Sequence, residues 1–149
     1  MMVMNDQPLS FDVQDFFNVI RTNVLGPALI LRAFLPLLER GKRKVVVNVT
    51  SRLGCITQAA ELYGAHMAMY ATSKAALNMF TVKTACQRPD MIVFALSPGH
   101  NSTDSGGEDA PHDPEDTVAA LLPFISLVTS KHSGKYWDYW GREIEVYPW

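Results

Sequence analysis

Tyr70 and Lys74 stand four residues apart in the stretch Tyr70-Ala71-Thr72-Ser73-Lys74. On a helix that spacing projects both side chains from one face, one turn apart. A phenol with an ordinary pKa of about 10 is a poor acid–base group at neutral pH. A nearby ammonium favours the phenolate and draws that pKa down. Such a pair can give a proton to a carbonyl being reduced or take one from an alcohol being oxidised. The pair alone is a weak signal, because a surface tyrosine beside a solvated lysine has the same spacing. Two other stretches narrow it. Before it, a β-branched run ends in Asn48-Val49-Thr50-Ser51-Arg52-Leu53-Gly54, and after it a second apolar run ends in Ser97-Pro98-Gly99-His100-Asn101-Ser102-Thr103. Hydroxyls at the C-terminal ends of parallel strands stand where α/β folds hold their ligands.

The elements that must position these groups follow from periodicity. Ser10 or Asp12 is suited to cap a helix running to about Arg40, with Phe16, Phe17, Ile20, Val24, Leu31, Phe34, Leu35 and Leu38 at helical spacing. Gly26-Pro27 lies inside it and should bend it, since proline removes a donor and crowds the preceding turn. Lys44 to Val49 reads as a strand buried on both faces, and Met91 to Leu96 as another. Between them, residues 51–68 form a long connection and Tyr70 to Cys86 a second helix. Asp113, with Pro114 at the first helical position and Asp116 in the first turn, starts a third helix that reaches about Thr129. Gly134 breaks the chain, and Ile144-Glu145-Val146 reads as a short closing strand. Helix, strand, helix, strand, helix, short strand predicts an α/β fold: one domain over 1–149, a parallel sheet with crossover helices.

Composition bounds the function classes. With 48% hydrophobic and 19% charged residues among 149, the chain has enough apolar material for a core. A net charge of −2 gives no electrostatic reason to bind nucleic acid or an anionic membrane. Two cysteines, Cys55 and Cys86, make no disulfide framework. No run approaches the roughly 18 apolar residues of a membrane span, and the first residues lack the pattern of a signal peptide. The expected setting is cytoplasmic. His66, His100, His112 and His132 lack metal-ligand spacing, so no metal is expected. Trp137, Tyr139, Trp140 and Trp149 form an aromatic tail suited to packing.

Taken together, Asn23-Val24-x-Gly26, Asn48-Val49-Thr50-Ser51-x-x-Gly54, Tyr70 to Lys74 and Pro98-Gly99 to Thr103 resemble, in order, the core motifs of the short-chain dehydrogenase/reductase family. Ala71 to Met79 and the ending Gly134 to Trp149 are similar to its C-factor and sniffer-like branch of small carbonyl reductases. The resemblance implies the C-terminal, catalytic half of a Rossmann-type doubly wound sheet. It implies NAD(P)H-dependent reduction of a ketone or aldehyde, or the reverse oxidation, on a small-molecule carbonyl or alcohol substrate. Tyr70 is then the proton donor or acceptor, and Ser51 positions the substrate oxygen. Lys74 lowers the Tyr70 pKa and, with Tyr70, contacts the cofactor, holding the nicotinamide ribose, while Asn23 anchors a water leading to Lys74. Pro98, Gly99, Asn101 and Thr103 match positions at the nicotinamide end, with NADP favoured over NAD by the branch. A homodimer through the long helices is the corresponding association.

Two departures qualify these expectations. The connection from Ser51 to Tyr70 is longer than in many members. The family's Thr-Gly-x-x-x-Gly-x-Gly turn is absent, and Gly106-Gly107 lies in a polar loop rather than between a strand and a helix. The expectation is therefore a chain lacking the glycine-rich half. Cofactor binding by this chain alone is then in question, and an inactive interaction or scaffold protein is the alternative.

Overall fold

A computed structural model describes residues 6–62, 64–104, 106–139 and 144–149. Trp140, in the aromatic tail, lies outside the described residues. The Asp12 carboxylate caps helix α1 (Val13–Ile20) by accepting from the Asp15 amide. A π-helical turn, Arg21–Leu25, joins α1 to α2 (Gly26–Arg40). The expected disturbance at Gly26-Pro27 takes this form. The α-helical donor to the Asn23 carbonyl would be the nitrogen of Pro27, which carries no hydrogen, and the Gly26 amide reaches back five residues to the Arg21 carbonyl.

Strand β1 (Val45–Val49) leads through two short 3-10 turns, Arg52–Gly54 and Ile56–Gln58, to helix α3 (Ala68–Gln87). Strand β2 (Ile92–Ser97) follows, then helix α4 (Pro114–Leu127), whose cap Asp113 accepts from the Glu115 amide at 2.7 Å. Two further strands, β3 (Tyr136–Tyr139) and β4 (Ile144–Tyr147), complete the described elements.

The sheet runs β1-β2-β3-β4; the first three strands are parallel, and β4 is antiparallel to β3. The α/β architecture with a parallel sheet matches the sequence expectation. The expectation lacked β3 and the antiparallel closure it makes with β4. Alternate β2 residues face opposite layers. Phe94 and Leu96 join Leu121, Val128 and Tyr139 in a core under α4. Ala95 packs with Cys55, Tyr136 and Tyr147. Asn48 on β1 and Thr50 just beyond its end turn toward α3, where the Asn48 amide donates to the Thr81 hydroxyl at 2.8 Å. β1 and β4 are the two edges of the described sheet, and Val49 is 55% exposed, which corrects the expectation that β1 is buried on both faces.

One expectation about hydropathy is corrected. Val13–Arg40 is a continuous helical rod of 28 residues that contains an 18-residue window of mean hydropathy 1.2, enough to cross a bilayer by length and composition. The rod itself was expected, from Ser10 or Asp12 to about Arg40; only its apolar window was not, because polar residues break up the apolar run. Arg21 and Arg32 interrupt it, and buried Val19 and Asn23 pin it to the domain.

Candidate active site

The site lies where β1 ends and α3 begins. The last outward carbonyl of β1, on Val49, accepts from the Lys74 ammonium at 3.0 Å. Ser51, two residues on, caps the Arg52–Gly54 turn, its hydroxyl accepting from the Leu53 amide at 3.3 Å. That turn approaches α3 closely. A Cβ on Gly54 would lie 2.7 Å from the Lys74 carbonyl carbon, so only glycine fits without a shift. Asn78, buried on α3, grips both ends of the turn. Its Oδ1 accepts from the Thr50 hydroxyl at 2.6 Å, and its amide donates to the Gly54 carbonyl at 3.1 Å.

Tyr70 and Lys74 share one face of the first turns of α3, with the ammonium 5.5 Å from the phenol ring centre. The Ser51 hydroxyl stands within hydrogen-bonding reach of the Tyr70 phenol. The structure thus brings Ser51, Tyr70 and Lys74 together. Burial pushes the Tyr70 pKa above its ordinary value, and the Ser51 hydrogen bond pulls only partly against it. This corrects the expectation that Lys74 lowers that pKa. The ammonium is turned to the Val49 carbonyl, and burial lowers its own pKa. At neutral pH the phenol is therefore held protonated.

Asn23 joins the same helix start. Its amide donates to the Ser73 hydroxyl at 3.0 Å, and Ser73 donates to the Tyr70 carbonyl at 2.7 Å. The π-turn is thus tied to the first turn of α3 between Tyr70 and Lys74. Asp6 stands in for the missing N-cap side chain at Met67, which is left-handed (φ 60°). Its buried carboxylate accepts from the Met69 amide at 2.5 Å.

The second strand end is built differently. Gly99 has φ +78°, and a Cβ there would meet the Tyr139 carbonyl at 2.7 Å. The Asn101 amide donates to the Pro98 carbonyl at 2.8 Å, and its Oδ1 accepts from the Thr117 hydroxyl. Asn101 therefore shapes the turn after Pro98-Gly99 and ties it to α4. The exposed Thr103 hydroxyl accepts from the Gly106 amide at 3.1 Å. His100 is exposed and pairs with the Gly106 carbonyl at 2.8 Å. Among the described residues no group of three or more His, Cys, Asp or Glu is arranged to hold a metal.

Sequence reasoning missed Asn78, Asp6 and an ion pair beside Ser51, between Arg52 and the fully buried Asp138. A polar Asn in mid-helix was the available signal for Asn78. Nothing local marks the others.

The comparisons with known proteins place the chain in a family. The family model described as short chain dehydrogenase matches residues 3–113. The chain belongs to the short-chain dehydrogenase family. It is 37% identical over 140 residues to "C-signal" of Myxococcus xanthus, covering 93% of this chain and 81% of that one. It is 36% identical over 124 residues to short chain dehydrogenase pigC of Monascus ruber, covering 81% of this chain but 39% of that one. Among solved structures, the carbonyl reductase Sniffer of D. melanogaster matches at a TM-score of 0.84 and 26% identity, over 93% of this chain and 60% of its own. The NADPH-bound carbonyl reductase from chicken fatty liver matches at 0.83 and 27%, over the whole of this chain and 63% of its own. The chain thus spans about 60% of the length of these solved reductases.

Proposed function

We propose that this chain carries the proton-transfer half of an NAD(P)H-dependent reduction of a ketone or aldehyde, or of the reverse oxidation. The observation that carries the reading is the meeting of the Ser51 hydroxyl, a Tyr70 phenol held protonated, and the Lys74 ammonium at one strand end. The donor set suits a carbonyl oxygen and the hydroxyls of a nicotinamide ribose: two O–H groups and a cation. A nicotinamide cofactor, when bound, supplies the hydride. Tyr70 gives its proton to the carbonyl oxygen. Ser51, whose oxygen is already engaged by the Leu53 amide, directs its own O–H to the same oxygen and fixes its position. Lys74 would turn from the Val49 carbonyl to the ribose hydroxyls, while Pro98 and Gly99 border the nicotinamide, with Asn101 and Thr103 in the turn beyond. NADP is favoured by the NADPH-bound carbonyl reductase, and NAD is the alternative. The proposed setting is cytoplasmic.

Titration of the purified chain with NADPH and NADH tests this reading. Saturable binding followed by carbonyl-dependent oxidation of the cofactor supports it. No binding at millimolar cofactor overturns it for this chain.

A second reading, an interaction protein that pairs with another copy, is favoured by the apolar outer face of the α1–α2 rod. Phe17 is 67% exposed, and Leu29 and Leu37 are each more than half exposed. Sedimentation of the wild type and of Phe17→Glu/Leu29→Glu decides it. The reading predicts a dimer that the double substitution dissociates, and a monomer at all concentrations contradicts it.

A further inference from the structure

We propose that the Arg52–Asp138 ion pair is the positioning element for Ser51, holding the serine hydroxyl against Tyr70. The proposal rests on the proposed function in giving Ser51 a substrate to orient, but its geometry is independent of that.

Arg52 immediately follows Ser51 and opens the turn that Ser51 caps. Its Nε donates to Asp138 Oδ2 at 2.7 Å, and a second guanidinium nitrogen contacts the same oxygen. Asp138 is fully buried on β3, in register with Ser97, the last residue of β2. The Arg52 guanidinium also lies 4.7 Å from the Tyr147 ring centre on β4. The cation is therefore held by two strands while its backbone carries Ser51.

The opposite side of the turn is held by Asn78 of α3, through Thr50 and Gly54. Ser51 is thus suspended between α3, which carries Tyr70, and β3. A shift of about 1 Å in such a group is enough to spoil an aligned proton transfer. Stability alone does not account for the pair. A buried ion pair is on balance neutral, or even unfavourable, relative to apolar side chains of the same volume. Its value here is a fixed direction for the residue beside it.

The test is NMR of the full chain labelled with tyrosine 13Cζ, whose shift reports hydrogen bonding at the phenol. The five tyrosines are separated by assigning Tyr70 with Tyr70→Phe. Ser51→Ala sets the displacement caused by losing the hydroxyl. Asp138→Asn and Arg52→Gln are expected to move the Tyr70 signal in the same direction. Neither should add anything in the Ser51→Ala background, and Arg52→Lys should restore most of the wild-type signal. An unmoved Tyr70 signal in folded Asp138→Asn and Arg52→Gln overturns the proposal. So does a displacement that persists in full without the Ser51 hydroxyl, which would make the pair a merely structural one. If Asp138→Asn fails to fold, Arg52→Gln carries the test, since the Arg52 side chain is 23% exposed. No turnover or cofactor enters the measurement, so an inactive chain would count against the proposed function and leave this result standing.

Discussion

The Thr50 hydroxyl donates to Asn78 Oδ1 at 2.6 Å, which ties the strand end bearing Ser51 to the helix bearing Tyr70 and Lys74. The Asn78 amide closes the bracket on the Gly54 carbonyl. All these groups are buried, so each bond removed leaves a partner unsatisfied. Asn78→Ala is expected to cost about 2–4 kcal/mol, and Thr50→Val about 1–2 kcal/mol. Urea denaturation followed by circular dichroism measures both. Equal stability to wild type would show that the bracket is dispensable.

Gly54→Ala tests the close approach of the turn to α3. The added methyl would lie 2.7 Å from the Lys74 carbonyl carbon and 2.9 Å from the Ala75 nitrogen, both backbone atoms. Backbone gives way less readily than a side-chain end. The cost is expected at about 1–3 kcal/mol, with a larger relative loss of catalytic rate because Ser51 moves away from Tyr70. Thermal melts and steady-state rates of the same preparation check the pairing of the two effects.

The two site pKa shifts have opposite signs and set the alkaline limb. Burial holds Tyr70 protonated beyond its ordinary range, so the proton donor for reduction survives rising pH. Burial lowers the Lys74 pKa, so its charge is lost earlier than that of a solvated lysine. The reductive kcat/KM is therefore expected to fall first through deprotonation of Lys74. In Lys74→Arg the cation does not titrate in this range, and the fall moves to higher pH. A limb at the same pH in that variant would assign it to another group.

Tyr136 links stability to alkaline pH. Burial, with the Asp138 charge second, raises its pKa far above the ordinary value. A raised folded pKa means that the native state keeps a proton the unfolded chain loses above about pH 10. The contribution is whole below that pH and falls as pH rises, by up to about 1.4 kcal/mol per unit. Tyr136→Phe should lessen the decline in Tm between about pH 8 and about pH 11 relative to wild type. An equal decline in both proteins would contradict the assignment.

The sequence was legible where spacing alone carries geometry. Tyr70 and Lys74 meet because a helix brings every fourth residue round, and Ser51 joins them because a β-branched run ends there. Partners distant in the chain were not legible. Arg52 and Asp138 are 86 residues apart, and no local pattern distinguishes them from surface charges. Strand β3, Tyr-Trp-Asp-Tyr, is four residues of aromatic and acid without a β-branched run, and its pairing with β2 makes it a strand. Pro27 announced a disturbed helix, but its form as a π-turn accompanies the tie from Asn23 to Ser73. The direction of the Tyr70 pKa was misread for the same reason. Proximity to Lys74 is written in the spacing, whereas burial and the pull of the Val49 carbonyl are properties of the fold.

The most direct measurement is the rate of carbonyl-dependent NADPH oxidation by wild type and by Tyr70→Phe, each shown folded by circular dichroism. Removing a positioned general acid costs about 10²–10⁴-fold. A loss of that size in kcat/KM is expected, with cofactor binding retained. Turnover unchanged by Tyr70→Phe would contradict it.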